Sequence, residues 1–199
     1  MSEFQYYEFV AIDHPLSAIE RKRLRAITGR ATITSTRLVN TYEWGDFKAD
    51  PHELVVKYFD AFLYYANWGT RRFILRVPSA RLDLKIAKKY CAIRAASGRG
   101  NRSVATVVAT GKHLVIDLWS ESECGANWGD VAPGLLSALV PIRNELIAGD
   151  YRALYLAWRL RAQAGEFATN ARAPPVPAAT GRLTGSQQTL VEYLRINST

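Results

Sequence analysis

Apolar and polar positions alternate over short stretches at the start of the chain. Residues 5–12 are rich in aromatic and β-branched residues, which predicts a strand. Ser17 and Glu20 have the S-x-x-E spacing of a capping box, so a helix is expected to begin there. Residues 31–44 are again mostly β-branched and aromatic, and they form either one long strand or two strands separated at residues 34–36.

The densest apolar segment follows a strong helix start. Asp50 can cap a helix and Pro51 suits its first turn. Apolar residues then occupy nearly every side of a helix drawn to about Ala66, and a helix of that kind is buried on most faces. We therefore predict a central core helix in which Phe59 and Phe62 are almost fully buried.

The remaining pattern predicts two more β segments and a helical end. Residues 71–77 read as a strand, and residues 103–109 and 113–119 read as a hairpin. A helix around Leu135 that bends or restarts at Pro141 and a last strong helix are joined tightly, which predicts a helical hairpin.

This order of elements predicts an α+β fold with a mixed or antiparallel sheet packed on helices. The first part is ferredoxin-like if residues 31–44 form two strands. We divide the chain into one globular domain over residues 1–168, an extended linker rich in Ala, Pro and Gly over 169–188, and a short amphipathic tail over 189–199. The tail is expected to dock on the body of the same chain.

Charge is unevenly distributed along the 199 residues. The net charge is +8, with 19 Lys/Arg against 10 Asp/Glu in residues 1–112 and 7 against 8 in residues 113–199. A basic half suggests an acidic partner such as nucleic acid, although a solvated surface is an equally good interpretation. Four arginines are candidates for anion or nucleic-acid binding: Arg71, Arg72, Arg99 and Arg102. For the first two the alternative is an edge strand protected by charge, and for the others a flexible loop.

Three tryptophans are each followed by glycine at a point where a regular segment ends. Trp44, Trp68 and Trp128 therefore predict sharp corners. Such corners can form an aromatic binding shelf, but turns held to the core by a large ring are the favoured interpretation.

Catalytic and metal-binding signatures are weak. His14, His52 and His113 show no metal-binding spacing, and the chain has no nucleophile elbow, phosphate-binding P-loop or dinucleotide fingerprint. Three carboxylates near one strand end suggest a divalent metal, although solvated charge is favoured for them: Asp117, Glu121 and Glu123. We predict no catalytic residue, no metal and no cofactor. A weaker alternative is a dispersed site around His113 and Asp117.

Cysteine usage and hydropathy bear on the compartment. Cys91 and Cys124 lie far apart and outside any metal-binding motif, so both are expected to be ordinary thiols. No apolar run reaches the ~18–20 residues that cross a bilayer, and the first residues do not resemble a signal peptide. We expect a cytoplasmic protein without membrane contact.

Several stretches resemble an uncharacterised family of bacterial cytoplasmic proteins with no known activity. They are YYEFVAIDHPL at the start, VNTYEWGDFKADP, YFDAFLYYANWGTRRFILRVP, and the RALYLAW and VEYLRI segments near the end. The resemblance implies a bacterial, cytoplasmic origin and carries no residue role.

The sequence thus favours a non-catalytic binding or scaffold module that acts within a bacterial protein complex and whose partner is another protein. The first alternative is a nucleic-acid-binding protein that uses the basic half. Oligomeric state is left open by these patterns.

Overall fold

A computed structural model describes residues 4–94, 103–122, 134–168, 170–177 and 181–197. Within these residues the fold is α+β and is organised around one eight-stranded sheet of order β2-β3-β1-β4-β5-β8-β7-β6. Neighbouring strands are antiparallel except β6 and β7, so the sheet is mixed. The strands are β1 (Gln5–Val10), β2 (Thr32–Ile33), β3 (Arg37–Tyr42), β4 (Ala61–Ala66), β5 (Arg71–Pro78), β6 (Ala92–Ile93), β7 (Ala105–Thr110) and β8 (His113–Ser120).

The helices lie between the early strands and at the end of the chain. They are α1 (Ala18–Ile27), α2 (Pro51–Lys57), α3 (Leu84–Ala87), α4 (Leu135–Leu139), α5 (Pro141–Ile147), α6 (Arg152–Gln163) and α7 (Gly185–Leu194). In the described part of the chain, none of them is long and apolar enough to cross a membrane.

Helices cover both faces of the sheet. Successive residues of a strand point to opposite faces, so neighbours in sequence join different cores. Phe73 and Leu75 face a large core that includes residues of α3 to α7. Ile74, between them in sequence, faces a second core that includes residues of α1 and α2. A sheet buried on both faces needs strands that are apolar at nearly every position, and β4 has that composition, whereas β5 combines apolar residues with Arg71, Arg72 and Arg76.

The predicted central helix is wrong in its second half. Helix α2 ends at Lys57, and the aromatic residues that follow form strand β4. A run that is apolar on all sides of a helix is equally apolar on both faces of a strand, so periodicity does not separate the two. Phe59 and Phe62 are fully buried as predicted, but Phe62 is buried as a strand residue.

Several local predictions are confirmed. Ser17 and Glu20 form the reciprocal hydrogen bonds of a capping box at α1. Residues 31–44 contain the two strands β2 and β3, and the hairpin of β7 and β8 turns at Gly111 with φ of 58°. The helix restarts at Pro141. A ferredoxin-like start and a C-terminal helical hairpin stay predictions.

The end of the chain is part of the core. Helix α7 begins at Gly185, before the predicted tail, behind a capping box formed by Thr184 and Gln187. Leu190 and Leu194 are fully buried, and α7 contacts α4, α5, α6 and β5. The terminal segment therefore docks on its own chain, as expected from its apolar spacing.

A buried carboxylate fastens the loop after β1 to the sheet. Asp60 accepts hydrogen bonds from the amides of Ile12 and Asp13 and forms an ion pair of 2.7 Å with Arg76. Burial alone would raise the pKa of Asp60, but these amide and guanidinium donors outweigh burial and lower the pKa below its ordinary value. Arg143 extends the contact by pairing with Asp13 at 2.7 Å.

Candidate functional site

Four side chains form a continuous row across one face of the sheet. In register, Tyr7 of β1 lies opposite Tyr64 of β4, Tyr64 opposite Arg72 of β5, and Arg72 opposite Trp119 of β8. This is the face that carries α1 and α2, and the loop before α2 lies beside the row as a wall. We call the depression that these four residues line the sheet-face groove.

At one end of the sheet-face groove, two arginines share one carboxylate. Arg72 donates from Nε and Nη2 to the two oxygens of Asp117, at 2.9 and 2.7 Å. Arg94, which directly follows β6, donates from Nη1 to the same carboxylate at 3.0 Å. Bidentate pairs of this kind fix the guanidinium plane as well as its position. The arrangement therefore holds Arg72 rigidly on the floor of the groove.

Hydrogen-bond donors remain in this cluster after the carboxylate is satisfied. Nη1 of Arg72, Nε of Arg94 and the hydroxyl of Thr106 have no acceptor among the described residues. The ring of Trp119 lies 5.5 Å from the Arg72 guanidinium, in cation–π contact. The end of the groove thus combines an aromatic face with unused donors.

At the other end of the groove, phenols form a neutral network. Tyr7 and Tyr64 both donate to Oε1 of Gln5, at 2.7 and 3.0 Å, and the Gln5 amide donates to the carbonyl of Gly45 at 2.8 Å. Phe47 stacks on Tyr7 with ring centroids 5.1 Å apart. Burial raises the pKa of Tyr7 to about 12 and also raises that of Tyr64. Both phenols therefore keep their protons and act as hydrogen-bond donors.

His52 is a buried histidine beside the arginine cluster. It is 9% exposed, and its Nε2 has no hydrogen-bond partner within the described part of the chain. Burial lowers the pKa of His52, and the positive charge of Arg94 lowers it further, against the opposing effect of Asp117. The imidazole is therefore neutral near pH 7 and leaves one buried nitrogen unsatisfied.

Two adjacent cavities open along the groove and share Arg72 and Trp119 as walls. The first has a volume of about 40 Å³, and Arg94, Ser103, Thr106 and Asp117 complete its described lining. The second has a volume of about 180 Å³ and extends over the phenol network to the wall loop. Since one water needs about 10–15 Å³ on this measure, the first cavity has room for a group of a few atoms and the second for a side chain or a small ring.

The structure separates the two predicted arginines that it describes. Arg71 and Arg72 are adjacent on β5, so they point to opposite faces of the sheet, and both are buried. Strand β5 lies inside the sheet, so the alternative of a charged edge strand does not apply. Arg99 and Arg102 lie outside the described residues.

The tryptophan corners are exposed. Trp44 is 68% exposed and Trp68 is 47% exposed, so neither ring is held in the core, contrary to the favoured interpretation. Both following glycines have positive φ, 84° at Gly45 and 107° at Gly69, which explains the sharp turns. Trp128 lies outside the described residues.

The weaker alternative is a dispersed site around His113 and Asp117, which both lie on β8, four residues apart. The charged groups that act on His113 are led by Arg76 and Asp13, whereas Asp117 is held by Arg72 and Arg94. Asp117 is instead among the charged groups that act on the pKa of His52. Nearby Glu121 accepts a hydrogen bond from the Trp119 indole, and Glu123 lies outside the described residues. In the described ranges no three His, Cys, Asp or Glu side chains form a metal-binding cluster.

The sequence patterns did not single out Tyr7, Tyr64, Arg94, Thr106 or Trp119, and they drew attention to His52 only as a histidine without metal-binding spacing. No local sequence pattern marks Arg94, because its position is fixed by the two-residue strand β6 that precedes it. The sequence spacing of two places Trp119 on the same face of its strand as Asp117. It does not reveal that Arg72 of the neighbouring strand lies opposite Trp119. Searches against family models, curated proteins and solved structures found no match for this chain.

Proposed function

We propose that the protein is a non-catalytic binding module of a bacterial protein complex and that the sheet-face groove is its contact surface. The observation that carries the proposal is the Arg72–Asp117–Arg94 cluster beneath Trp119. Ion pairs of this geometry hold the hydrogen-bond donors and the aromatic ring in fixed positions. Fixed groups of this kind suit the recognition of a partner.

The state of the ionisable groups supports binding over catalysis. Asp117 accepts three hydrogen bonds from guanidinium groups, so its two oxygens are engaged in holding Arg72 and Arg94 in place. Burial keeps the phenol protons of Tyr7 and Tyr64 in place. The groove therefore offers fixed hydrogen bonds and ring surfaces, which are the features that dominate binding at protein contacts.

The experiment is affinity purification of the full chain and of single tryptophan variants under native conditions. Trp119→Ala removes the ring of the groove, and Trp44→Ala is the matched control because it removes an exposed ring elsewhere. We expect a specific protein to be retained by the wild type and by Trp44→Ala and to be absent with Trp119→Ala. Equal retention by all three chains contradicts the groove as contact surface.

A second candidate function is nucleic-acid binding, and one observation favours it. Helix α1 exposes three consecutive basic residues, Arg21, Lys22 and Arg23. In the following segment, Arg30 lies 5.4 Å from the exposed ring of Trp44. Basic side chains beside an exposed aromatic ring are typical of surfaces that hold phosphates and stack bases.

A further inference from the structure

We propose that the cavity between Arg72, Arg94 and Trp119 binds an oxyanion, a carboxylate or phosphate group, that is attached to a planar ring. The inference names the chemical group that the sheet-face groove recognises, and it rests on the proposed function in so far as a partner protein presents that group. An independent free ligand of the same chemistry would fill the same cavity.

The oxyanion follows from the unused donors. Arg72 uses Nε and Nη2 on Asp117, and its Nη1 remains without a partner among the residues described. Arg94 is 28% exposed at its side chain and keeps Nε unused, and the Thr106 hydroxyl lies on the strand position opposite Asp117. Donors on two guanidinium groups and one hydroxyl that share a cavity favour an acceptor with several oxygens.

The local charge agrees with an anion. Two guanidinium groups and one carboxylate line the cavity, so its described lining is positive by one charge. Asp50 does not line the cavity, but its Oδ2 lies 3.6 Å from Nη2 of Arg94, so it offsets part of this positive charge. An oxyanion beside Arg94 would accept a hydrogen bond from the Nε of that side chain.

The planar ring follows from Trp119 and from the adjoining space. Trp119 borders both cavities of the groove, and the second cavity continues from it over Tyr64 towards Phe47. An oxyanion held by Arg72 and Arg94 therefore places whatever carries it against aromatic walls. A ring stacks favourably on such walls, whereas a flexible polar chain gains little from them.

The test is calorimetric titration of the folded full-length protein with four probes: phenyl phosphate, benzoate, inorganic phosphate and acetate. We expect each ring-bearing anion to bind about tenfold more tightly than its ring-free counterpart, the usual effect of one stacked ring. A tyrosine-phosphorylated peptide and a peptide with a carboxyl-terminal phenylalanine form the second arm. Tighter binding of either peptide than of the free compounds identifies a partner protein as the source.

Variants separate the two parts of the ligand. Arg94→Gln is expected to weaken every anion at least tenfold, the effect of removing a charged hydrogen bond. Trp119→Leu should abolish the preference for ring-bearing anions, so that phenyl phosphate and inorganic phosphate bind with equal affinity. Arg81→Gln is the control, because it removes the same charge from an exposed residue that does not line the groove.

Two outcomes overturn the inference. One is the absence of binding by both ring-bearing anions at millimolar concentration, and the other is undiminished binding by folded Arg94→Gln. Should that variant not fold, resonance shifts in the wild type decide, because phenyl phosphate must perturb the Trp119 indole and the Arg94 and Thr106 amides. The calorimetry and the affinity purification can also disagree. If no anion binds but a protein is still captured in a Trp119-dependent way, the inference is refuted and the proposed function stands.

Discussion

Phe62 lies on β4, in the core that the sheet forms with α1 and α2. Its ring is fully buried, with its centroid 4.4 Å from that of Phe9 on the neighbouring strand. We expect Phe62→Ala to lower the free energy of unfolding by about 3–5 kcal/mol, as other buried phenylalanines do. Urea denaturation measures this decrease, and an unchanged midpoint would show that Phe62 is not in the core.

Asp60 carries the largest electrostatic prediction. Asp60→Asn leaves Arg76 buried without its charge partner, which typically costs about 3–5 kcal/mol. Because the pKa of Asp60 is lowered in the fold, the stabilisation is present above the ordinary pKa near 3.8 and is lost as pH falls through the folded value. The difference between wild type and variant should therefore shrink in acid.

Denaturation at pH 7 and at pH 3 tests this expectation. Glu43→Gln is the matched control, since Glu43 is exposed and its neutralisation should change stability by less than about 0.5 kcal/mol. A decrease at pH 7 no larger than that of the control would contradict the fastening role of Asp60.

His52 makes stability depend on pH in a higher range. Its pKa is lowered in the fold, so the unfolded chain takes up a proton first as pH falls through the ordinary value of 6.5. The free energy of unfolding should therefore decline between pH 7 and pH 5, and His52→Gln should make this decline shallower. Parallel pH series with the exposed-residue variant His14→Gln provide the comparison, and equal slopes for the two variants would count against a buried neutral His52.

At the scale of elements, the turn between β4 and β5 depends on Gly69. Its φ is 107°, and a Cβ atom there would lie 1.8 Å from the carbonyl oxygen of Ser122. Gly45 also has positive φ but open space around it. We expect Gly45→Ala to cost about 1–2 kcal/mol from its backbone conformation, and Gly69→Ala to cost about 1–3 kcal/mol more because the backbone must move. Thermal denaturation of both variants checks the order, and equal destabilisation would show that Ser122 is not close to Gly69.

Elements with local signals could be predicted from the sequence, and those fixed by tertiary contacts could not. The capping box at Ser17 and the β7–β8 turn at Gly111 are encoded within a few residues, so both were correct. The stretch after Lys57 became a strand because the sheet is covered on both faces, which no local pattern reveals. At the site, alternation alone places Arg71 and Arg72 on opposite faces, whereas the approach of Arg94 to Asp117 depends on a parallel contact between β6 and β7.

At the scale of the whole molecule, solvent exposure decides which charged side chains a binding partner can reach. The net charge is +8, but the guanidinium groups of Arg76 and Arg143 are largely buried in ion pairs and are not offered to a partner. Exposed basic clusters include α1 on one face of the sheet and the α3 region on the other. A nucleic acid that binds specifically should distinguish these two clusters, whereas a general attraction to positive charge should not.

This difference gives a test of the nucleic-acid alternative. We compare two triple alanine variants that remove the same charge, one at Arg21, Lys22 and Arg23 and the other at Lys85, Lys88 and Lys89. If the α1 face binds single-stranded DNA or RNA, only the first variant should weaken binding, and it should flatten the slope of log K against log salt by about one for each phosphate that the protein no longer neutralises. Fluorescence anisotropy over a salt series measures both quantities. Equal effects of the two variants would indicate unspecific attraction, and no binding by the wild type at low salt would remove the alternative, leaving recognition to the sheet-face groove.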